Sequence, residues 1–242
     1  MIKILLIDTA TEVCSAAMAV DGAVVALAES AESLQHAALL TPQIDRCVRE
    51  SGISLADLDA VAVSRGPGSY TSLRVGVSVA KGICYALGKP LIAVDTLHAL
   101  ALANSSLPPS SDASLYYLPM LDARRNEVWT RIFDSAFRPL NDAQPLVLEN
   151  NSFVDYLTAH IPDAEKAGFV VAGNGMDKLT NVLFFENTVF GSIKKSSARY
   201  LCAPAFQAFQ MNDFQDVAYF EPLYMKPPNI TVSNKTLWHQ KQ

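Results

Sequence analysis

The polar, glycine-rich segment at residues 64–76 has the residue types of a small anion site. It predicts the end of a strand, a Gly-Pro-Gly turn and a helix capped by Ser69 or Thr71. The free backbone N–H groups at such a helix start, with the Arg74 guanidinium one turn in, would bind an anion. The alternative is a plain connector between strand and helix, in which Gly66 and Gly68 let two backbones approach closely.

Two aspartates lie at corresponding points of the chain. Asp8 follows an apolar run at 2–7, Asp122 follows another at 115–121, and each is succeeded by a turn and a further apolar run. This pattern predicts buried strands that end in a carboxylate and continue into hairpins. Asp8 and Asp122 would then lie at equivalent strand ends of two similar units.

The composition indicates a folded protein with much apolar surface to bury. Half of the 242 residues are hydrophobic and 18% are charged, whereas about a quarter are charged in typical domains. These values exclude intrinsic disorder, and they leave a large core or a partner surface to explain the apolar excess. A net charge of −5, without a dense run of Lys and Arg, disfavours unaided binding of nucleic acid.

The sequence also predicts a cytoplasmic location. No uncharged stretch reaches the roughly 18 residues of a membrane helix, and Asp8 interrupts the first apolar run too early for a signal peptide. The four cysteines are scattered and contain no Cys-x-x-Cys pair, which is typical of buried apolar side chains in a reducing compartment.

The order of elements predicts an α/β protein with two lobes. Residues 1–105 follow the pattern βββαβαβα, which is typical of a mixed sheet with flanking helices. A Ser/Pro-rich linker at 106–114 precedes a second lobe at 115–242, which begins again with strand, aspartate and hairpin. The predicted helices of the first lobe are 33–51 with Ser33 as its cap, 71–87, and 96–104.

Two such lobes resemble the actin-like ATPases, which include actin and the sugar kinases. The resemblance implies RNase H-like lobes with mixed five-stranded sheets, in which hairpins grip nucleotide phosphates and a carboxylate holds the metal or its water. Asp8, Thr11 and Asp122 are then candidate nucleotide-binding residues. The phosphate hairpin of those ATPases needs Asp-x-Gly-Thr, but this chain has Asp-Thr-Ala-Thr at 8–11. We therefore expect no efficient ATP hydrolysis.

Several motifs, in the right order, resemble the TsaB (YeaZ) family. Gly66-Pro-Gly-Ser-Tyr-Thr-Ser-Leu-Arg-Val-Gly resembles the family signature Gly-Pro-Gly-Ser-Phe-Thr-Gly-Leu-Arg-Ile-Gly. The likeness is good through residue 133 and patchy after it. Further matches are the opening strand with its Asp-Thr-Ala-Thr, Gln35-His-Ala-Ala-Leu-Leu-Thr-Pro, the hairpin that begins Pro119-Met-Leu-Asp, the turn at 173–175, and a closing strand at Pro222-Leu-Tyr.

The resemblance implies a scaffold rather than an enzyme. Members of that family are non-catalytic relatives of TsaD, the transferase that forms threonylcarbamoyladenosine in tRNA. The implied partners are TsaD in a heterodimer, TsaE, and a second copy in the absence of TsaD, with tRNA reached only through the complex. No cofactor is expected to bind tightly. ATP or ADP at the complex interface is the candidate ligand, and its candidate contacts are Asp8, Thr11 or the turn from Gly173 to Gly175. The rival function is a metal-dependent small-molecule kinase or ATPase that uses Asp8 and Asp122.

The resemblance also implies no catalytic metal. TsaD-like proteins hold a metal through a His-x-x-x-His pair, and the matching positions here are Thr96 and Leu100. Leucine cannot ligate a metal, so we predict no site of the transferase type, and His98 is expected on the helix surface or in packing. The chain also lacks an activated nucleophile, which disfavours the glycoprotease label that the family has carried.

The same resemblance places the partner interface on the first two helices. Small residues recur at four-residue spacing on the predicted helix 71–87, where they would let another helix approach while the large ones pack on the sheet. The periodicity alone leaves packing within the lobe as the alternative. We expect Gly76→Arg to abolish co-purification with TsaD and to leave the fold intact. The predicted interface residues are His36, Leu39, Gln43, Ser72, Gly76 and Ala80.

Overall fold

The computed structural model describes residues 1–30, 35–106, 114–182 and 184–225. The predicted cap Ser33, most of the predicted linker and the last residues of the chain lie outside the described residues. No helix within the described ranges has the length and apolar character to cross a membrane. The four cysteines are all described, and each is free and buried.

The first lobe is built on a five-stranded mixed sheet of order β3-β2-β1-β4-β5. Strand β1 pairs antiparallel with β2 and parallel with β4, so the chain leaves β1 through a hairpin and returns through a helix. These are the elements that the alternating apolar runs predicted. The strands are β1 (Lys3–Asp8), β2 (Cys14–Val20), β3 (Ala23–Ser30), β4 (Ala60–Gly66) and β5 (Leu91–Asp95).

The second sheet repeats this topology with the order β10-β9-β6-β7-β8. Strand β6 pairs antiparallel with β7 and parallel with β9, as β1 does with β2 and β4. Asp8 ends β1 and Asp122 ends β6, which confirms that the two aspartates are equivalent. The strands are β6 (Leu115–Asp122), β7 (Glu127–Thr130), β8 (Gln144–Val147), β9 (Gly168–Ala172) and β10 (Thr188–Phe190).

Helices pack on both faces of the first sheet, and α4 packs on one face of the second. Helices α1 and α2 share a core with one face of the first sheet, and α3 and α5 cover the other. The left-handed glycines Gly52 and Gly88 end α1 and α2 after residues 51 and 87, where the predicted helices end. The helices are α1 (His36–Ser51), α2 (Tyr70–Leu87), α3 (Thr96–Ala103), α4 (Ser152–His160) and α5 (Cys202–Gln210).

Helix α3 explains part of the apolar excess, because it is buried between the two sheets. Ala99 packs on the first sheet, whereas Leu97 and Leu100 pack on the second. The Asp95 carboxylate at the end of β5 accepts the backbone N–H groups of Leu97 and His98 and so caps this apolar helix. The helix is apolar nearly all round because neither of its faces meets water.

The second lobe is smaller than its predicted range of 115–242. The chain returns to the first lobe near Ser196, and α5 with the turn before it (Ala198–Leu201) packs on the first sheet. The segment from 213 to 225 then runs along the same lobe, where Gln215 N–H donates to Leu91 O and Leu223 N–H donates to Arg65 O. Helix α5 and the turn before it thus cover the second apolar face of the first sheet. The predicted closing strand at 222–224 is wrong, since this segment forms no strand.

Candidate functional site: the cleft between the lobes

A cleft of about 570 Å³ lies where the equivalent hairpins of the two lobes face each other. The first lobe lines it with the loop after β1, the turn before α2 and the first turn of α2. The second lobe contributes the turn after β6 and Asn174, and the segment 223–225 closes one side. This volume is within the range of small-molecule sites.

Asp8 is withdrawn from this cleft. Its side chain is fully buried, its Oδ1 accepts the Ala10 N–H at 2.9 Å, and its Oδ2 accepts the Ser196 hydroxyl. Burial raises the pKa of this carboxyl, although hydrogen bonds from Ser196, Ala10 and Ser64 oppose that shift. Asp8 therefore joins the first lobe to the returning chain and is not placed to receive a metal ion from the cleft.

Asp122 does reach the cleft, but it is already paired. Its Oδ1 accepts from Lys178 Nζ and from the backbone N–H of Arg124, both at 2.6 Å. The pair Asp8 and Asp122 thus lacks the two free carboxylates that a metal-dependent kinase or ATPase would need. No group of three or more His, Cys, Asp and Glu side chains suitable for a metal ion lies within the described ranges.

The predicted phosphate hairpin is covered by the next loop. The Ala10 carbonyl, at the position where those ATPases have glycine, accepts the Ser69 N–H at 2.7 Å. A Cβ at Gly68 would collide with the same carbonyl, so glycine is needed for this close approach. The residues present therefore do not fit a magnesium-bound nucleotide held on Asp8 in the manner of the ATPases.

The start of α2 lines the cleft with residues 69–73. The Ser69 hydroxyl makes no cap bond to the helix and instead accepts from the Ser72 hydroxyl at 3.0 Å. The N–H groups of Tyr70, Thr71 and Ser72 have no acceptor among the described residues. These donors lie at the positive end of an 18-residue helix and line the cleft.

Arg74 was predicted to complete that site, and this placement is wrong. Its Nε donates to the Tyr224 hydroxyl at 2.8 Å, and its guanidinium lies over the Tyr70 ring at 4.3 Å. Arg74 does not line the cleft, whereas Arg124 from the other lobe does. Arg124 lies two residues after Asp122 in the hairpin of the second lobe, and this position was the sequence signal that could have placed it in the cleft. Tyr224 had no such signal, because its place depends on the return of the chain.

The turn at 173–175 supports the cleft rather than lining it through its glycines. Gly173 has φ of +99°, and a side chain there would collide with the Met120 carbonyl of β6, whereas one at Gly175 would collide with Val128 of β7. Asn174 is the residue of this turn that faces the cleft, and its Oδ1 accepts the Asp122 N–H at 2.9 Å. Gly66 similarly packs against Leu73 and Leu223.

The predicted orientation of α2 is also wrong. Gly76 and Ala80 are buried against the lobe's own sheet and loop, and a Cβ at Gly76 would collide with the Thr9 hydroxyl. His36 is buried too, with its Nε2 at 2.9 Å from the Thr11 carbonyl. Thr9 lies in the tight turn after β1, so the helix can approach it only through a residue without a side chain. Gly76→Arg would therefore disturb the fold.

The outward surface of these helices is a different set of residues. We call it the α1–α2 face. Its apolar members are half-buried, and a side chain added at Gly82 would enter open space. Ser72 is half-buried near the cleft end of α2. The α1–α2 face consists of Leu39, Gln43, Val75, Val79, Gly82 and Ile83.

Gly76 and Gly82 make a matched pair for a stability test. We expect Gly76→Ala to lower the free energy of unfolding by about 1–3 kcal/mol, because the new Cβ overpacks against Thr9. Gly82→Ala should raise it by up to about 1 kcal/mol through helix propensity alone. Urea denaturation measures both. A Thr9→Ala background should reduce the cost of Gly76→Ala, and equal stabilisation by the two alanines would contradict this packing.

Comparison with known proteins places the chain in a family. The family model described as TsaD, tRNA N6-adenosine threonylcarbamoyltransferase, matches residues 29–219. The tRNA threonylcarbamoyladenosine biosynthesis protein TsaB of Escherichia coli is 37% identical over 127 residues, which are 52% of this chain and 53% of that protein. YeaZ from Pseudomonas aeruginosa superposes with a TM-score of 0.76 at 26% identity, covering 93% of this chain and all of that one. The chain belongs to the TsaB/YeaZ branch of the TsaD family.

The chain spans about half the length of the curated relatives it matches. A polyphosphate/ATP-glucomannokinase from Arthrobacter has a TM-score of 0.51 at 11% identity, which shows the actin-like fold alone. The two positions that match the metal-binding histidines of TsaD-like proteins, Thr96 and Leu100, are buried in α3. His98 between them stacks on Phe133 at 5.4 Å, and burial lowers its pKa. These residues do not fit a transferase metal.

Proposed function

We propose that this chain is the accessory subunit of a tRNA threonylcarbamoyladenosine synthesis complex and that it binds the TsaD-type transferase. The observation that carries the proposal is the likeness to YeaZ over 93% of the chain. The altered cleft supports it, because Asp8 is buried, Asp122 is paired and the positions of the transferase metal ligands hold Thr96 and Leu100. A subunit with this cleft would act by holding the transferase in its productive conformation.

The partner would dock on the α1–α2 face. This face presents half-buried aliphatic side chains on two neighbouring helices that pack on the same sheet. Half-buried aliphatic groups beside an exposed helical glycine allow a second helix pair to approach closely and to bury the remaining apolar area. The same face would pair two copies of the chain when the transferase is absent.

Other parts of the complex follow from the same proposal. TsaE and tRNA would meet this chain through the assembled complex, since its net charge of −5 offers little attraction for RNA. An ATP or ADP of the complex would lie at the subunit interface. The free, buried cysteines suit work in the cytoplasm.

Complex formation tests the proposal directly. The chain and the TsaD-type transferase of the same organism are purified separately, mixed at micromolar concentrations and separated by size-exclusion chromatography with light scattering. We expect a heterodimer that replaces any dimer of the chain alone. Separate elution of two unaltered proteins across a tenfold concentration range would contradict the docking proposal.

A further inference from the structure

Helix α3 lies between the two lobes, and its first end is fastened to the second lobe by an ion pair. The Asp95 carboxylate caps the helix through Oδ1 and accepts from Arg131 Nη1 through Oδ2 at 3.1 Å. Asp95 ends β5 of the first lobe, whereas Arg131 directly follows β7 of the second. Their side chains are only 13% and 16% exposed, respectively. The pair therefore links the lobes at a place that water barely reaches.

The other end of α3 is held by Asn104, which is buried and directly follows the last helical residue. Its Nδ2 donates to the Ile193 carbonyl at 3.2 Å, and its Oδ1 accepts the Ile193 N–H at 3.1 Å. Ile193 lies where the chain comes back from the second lobe, and a side chain at Gly191 would collide with the Asn104 amide. Asn104 thus ties the outgoing connection between the lobes to the returning one.

The two links together constrain the angle between the lobes more than either link alone. Nine positions separate Asp95 from Asn104, which is about 13 Å along a helix, so a rotation across the axis of α3 would stretch at least one link. A rotation about that axis would separate Leu97 and Leu100 from the second sheet. Each link also fits one arrangement, because the Asn104 amide both donates to and accepts from a single residue.

We propose that the Asp95–Arg131 and Asn104–Ile193 links lock the lobes at one angle, so that the cleft keeps a single width. Two-lobed proteins with a cleft commonly close by bending at a few residues in the connections between the lobes. In this chain, residues at those connections are bonded to each other. A body of fixed shape also offers any partner a surface that needs no ordering on binding. The proposal concerns the free chain and does not depend on docking to a transferase.

The distance between the lobes tests the lock. Spin labels are attached at Ser78→Cys in α2 and Ala159→Cys in α4, which are exposed positions, whereas the four native cysteines are buried. Pulsed electron–electron double resonance should give one narrow distance distribution for the otherwise unaltered chain. The double variant Asp95→Asn, Asn104→Ala should add a second distance in at least about a tenth of the molecules, because an open form then competes. Asp95→Asn keeps the cap of α3, since its side-chain carbonyl still accepts the backbone N–H groups.

The matched control is Asp142→Asn. Asp142 is an exposed neighbour of the same arginine at 3.8 Å and lies in the second lobe, so this variant should leave the distance unchanged. A broad or double distribution in the labelled chain without these substitutions would overturn the proposal. So would one unchanged distance in a double variant that unfolds cooperatively in urea. If the double variant does not fold, Asp95→Asn alone is compared with Asp142→Asn, and equal distributions would contradict the lock. None of these measurements includes the transferase, so the docking proposal keeps its own test.

Discussion

Gly82→Arg should abolish binding of the TsaD-type transferase while leaving the fold intact. Gly82 is exposed on α2 with open space around it, so a long side chain fits the free protein. In the complex the same side chain would separate two packed helices and leave a charge in an apolar contact. We expect an affinity loss of at least about 100-fold, which is the loss typical of a central interface residue. Isothermal titration calorimetry with the purified transferase measures it.

The control for Gly82→Arg is Ala159→Arg, which adds the same side chain to an exposed position of α4 in the other lobe. It should bind the transferase as the parent does. The free energy of unfolding of Gly82→Arg should equal or exceed that of the parent, because arginine favours a helix more than glycine does. If Gly82→Arg bound the transferase with the affinity of the parent, docking on the α1–α2 face would be contradicted.

Asp8 should tolerate asparagine but not alanine. Asparagine can accept the Ala10 N–H and donate to the Ser196 hydroxyl oxygen, so both buried partners stay satisfied. Alanine leaves both without a partner, and we expect it to lower the free energy of unfolding by about 2–4 kcal/mol. In a metal-dependent ATPase the two variants would both be inactive. Here Asp8→Asn should support threonylcarbamoyladenosine formation at the parent level.

The pH dependence of stability tests the raised pKa of the Asp8 carboxyl. Burial raises the Asp8 pKa above its ordinary value of 3.8, so the folded state binds the proton more tightly than the unfolded state. The stability that this provides is complete below pH 3.8 and is lost as the pH rises through the folded pKa. Urea denaturation from pH 4 to 8 should show Asp8→Asn gaining on the parent as the pH rises. A constant difference would contradict the raised pKa.

The strands and their aspartates could be predicted because the information is local. An apolar run, an aspartate and a turn define β1 and β6 in the sequence, and the repeated pattern predicts repeated topology. The start of α2 could be predicted for the same reason. The glycine turn and the residues after it form a helix N-terminus wherever the rest of the chain lies.

The failed predictions all depend on contacts between distant parts of the chain. The periodicity of α2 separates small from large side chains but cannot say which set faces inward, and the turn at Thr9 decides that for Gly76. Arg74 does not line the cleft because it donates a hydrogen bond to Tyr224, a residue 150 positions later in the sequence. Asp8 does not face the cleft because its carboxylate accepts a hydrogen bond from Ser196, where the chain comes back from the second lobe.

The central claim is that the chain enables a partner to modify tRNA without supplying the chemistry. The most direct measurement is threonylcarbamoyladenosine in a reconstituted reaction that contains the transferase, TsaE, tRNA and a source of threonylcarbamoyl-adenylate, with or without this chain. We predict formation only when the chain is present, at the parent level with Asp8→Asn and at the background level with Gly82→Arg. Equal formation without the chain, or loss of formation with Asp8→Asn alone, would contradict the account.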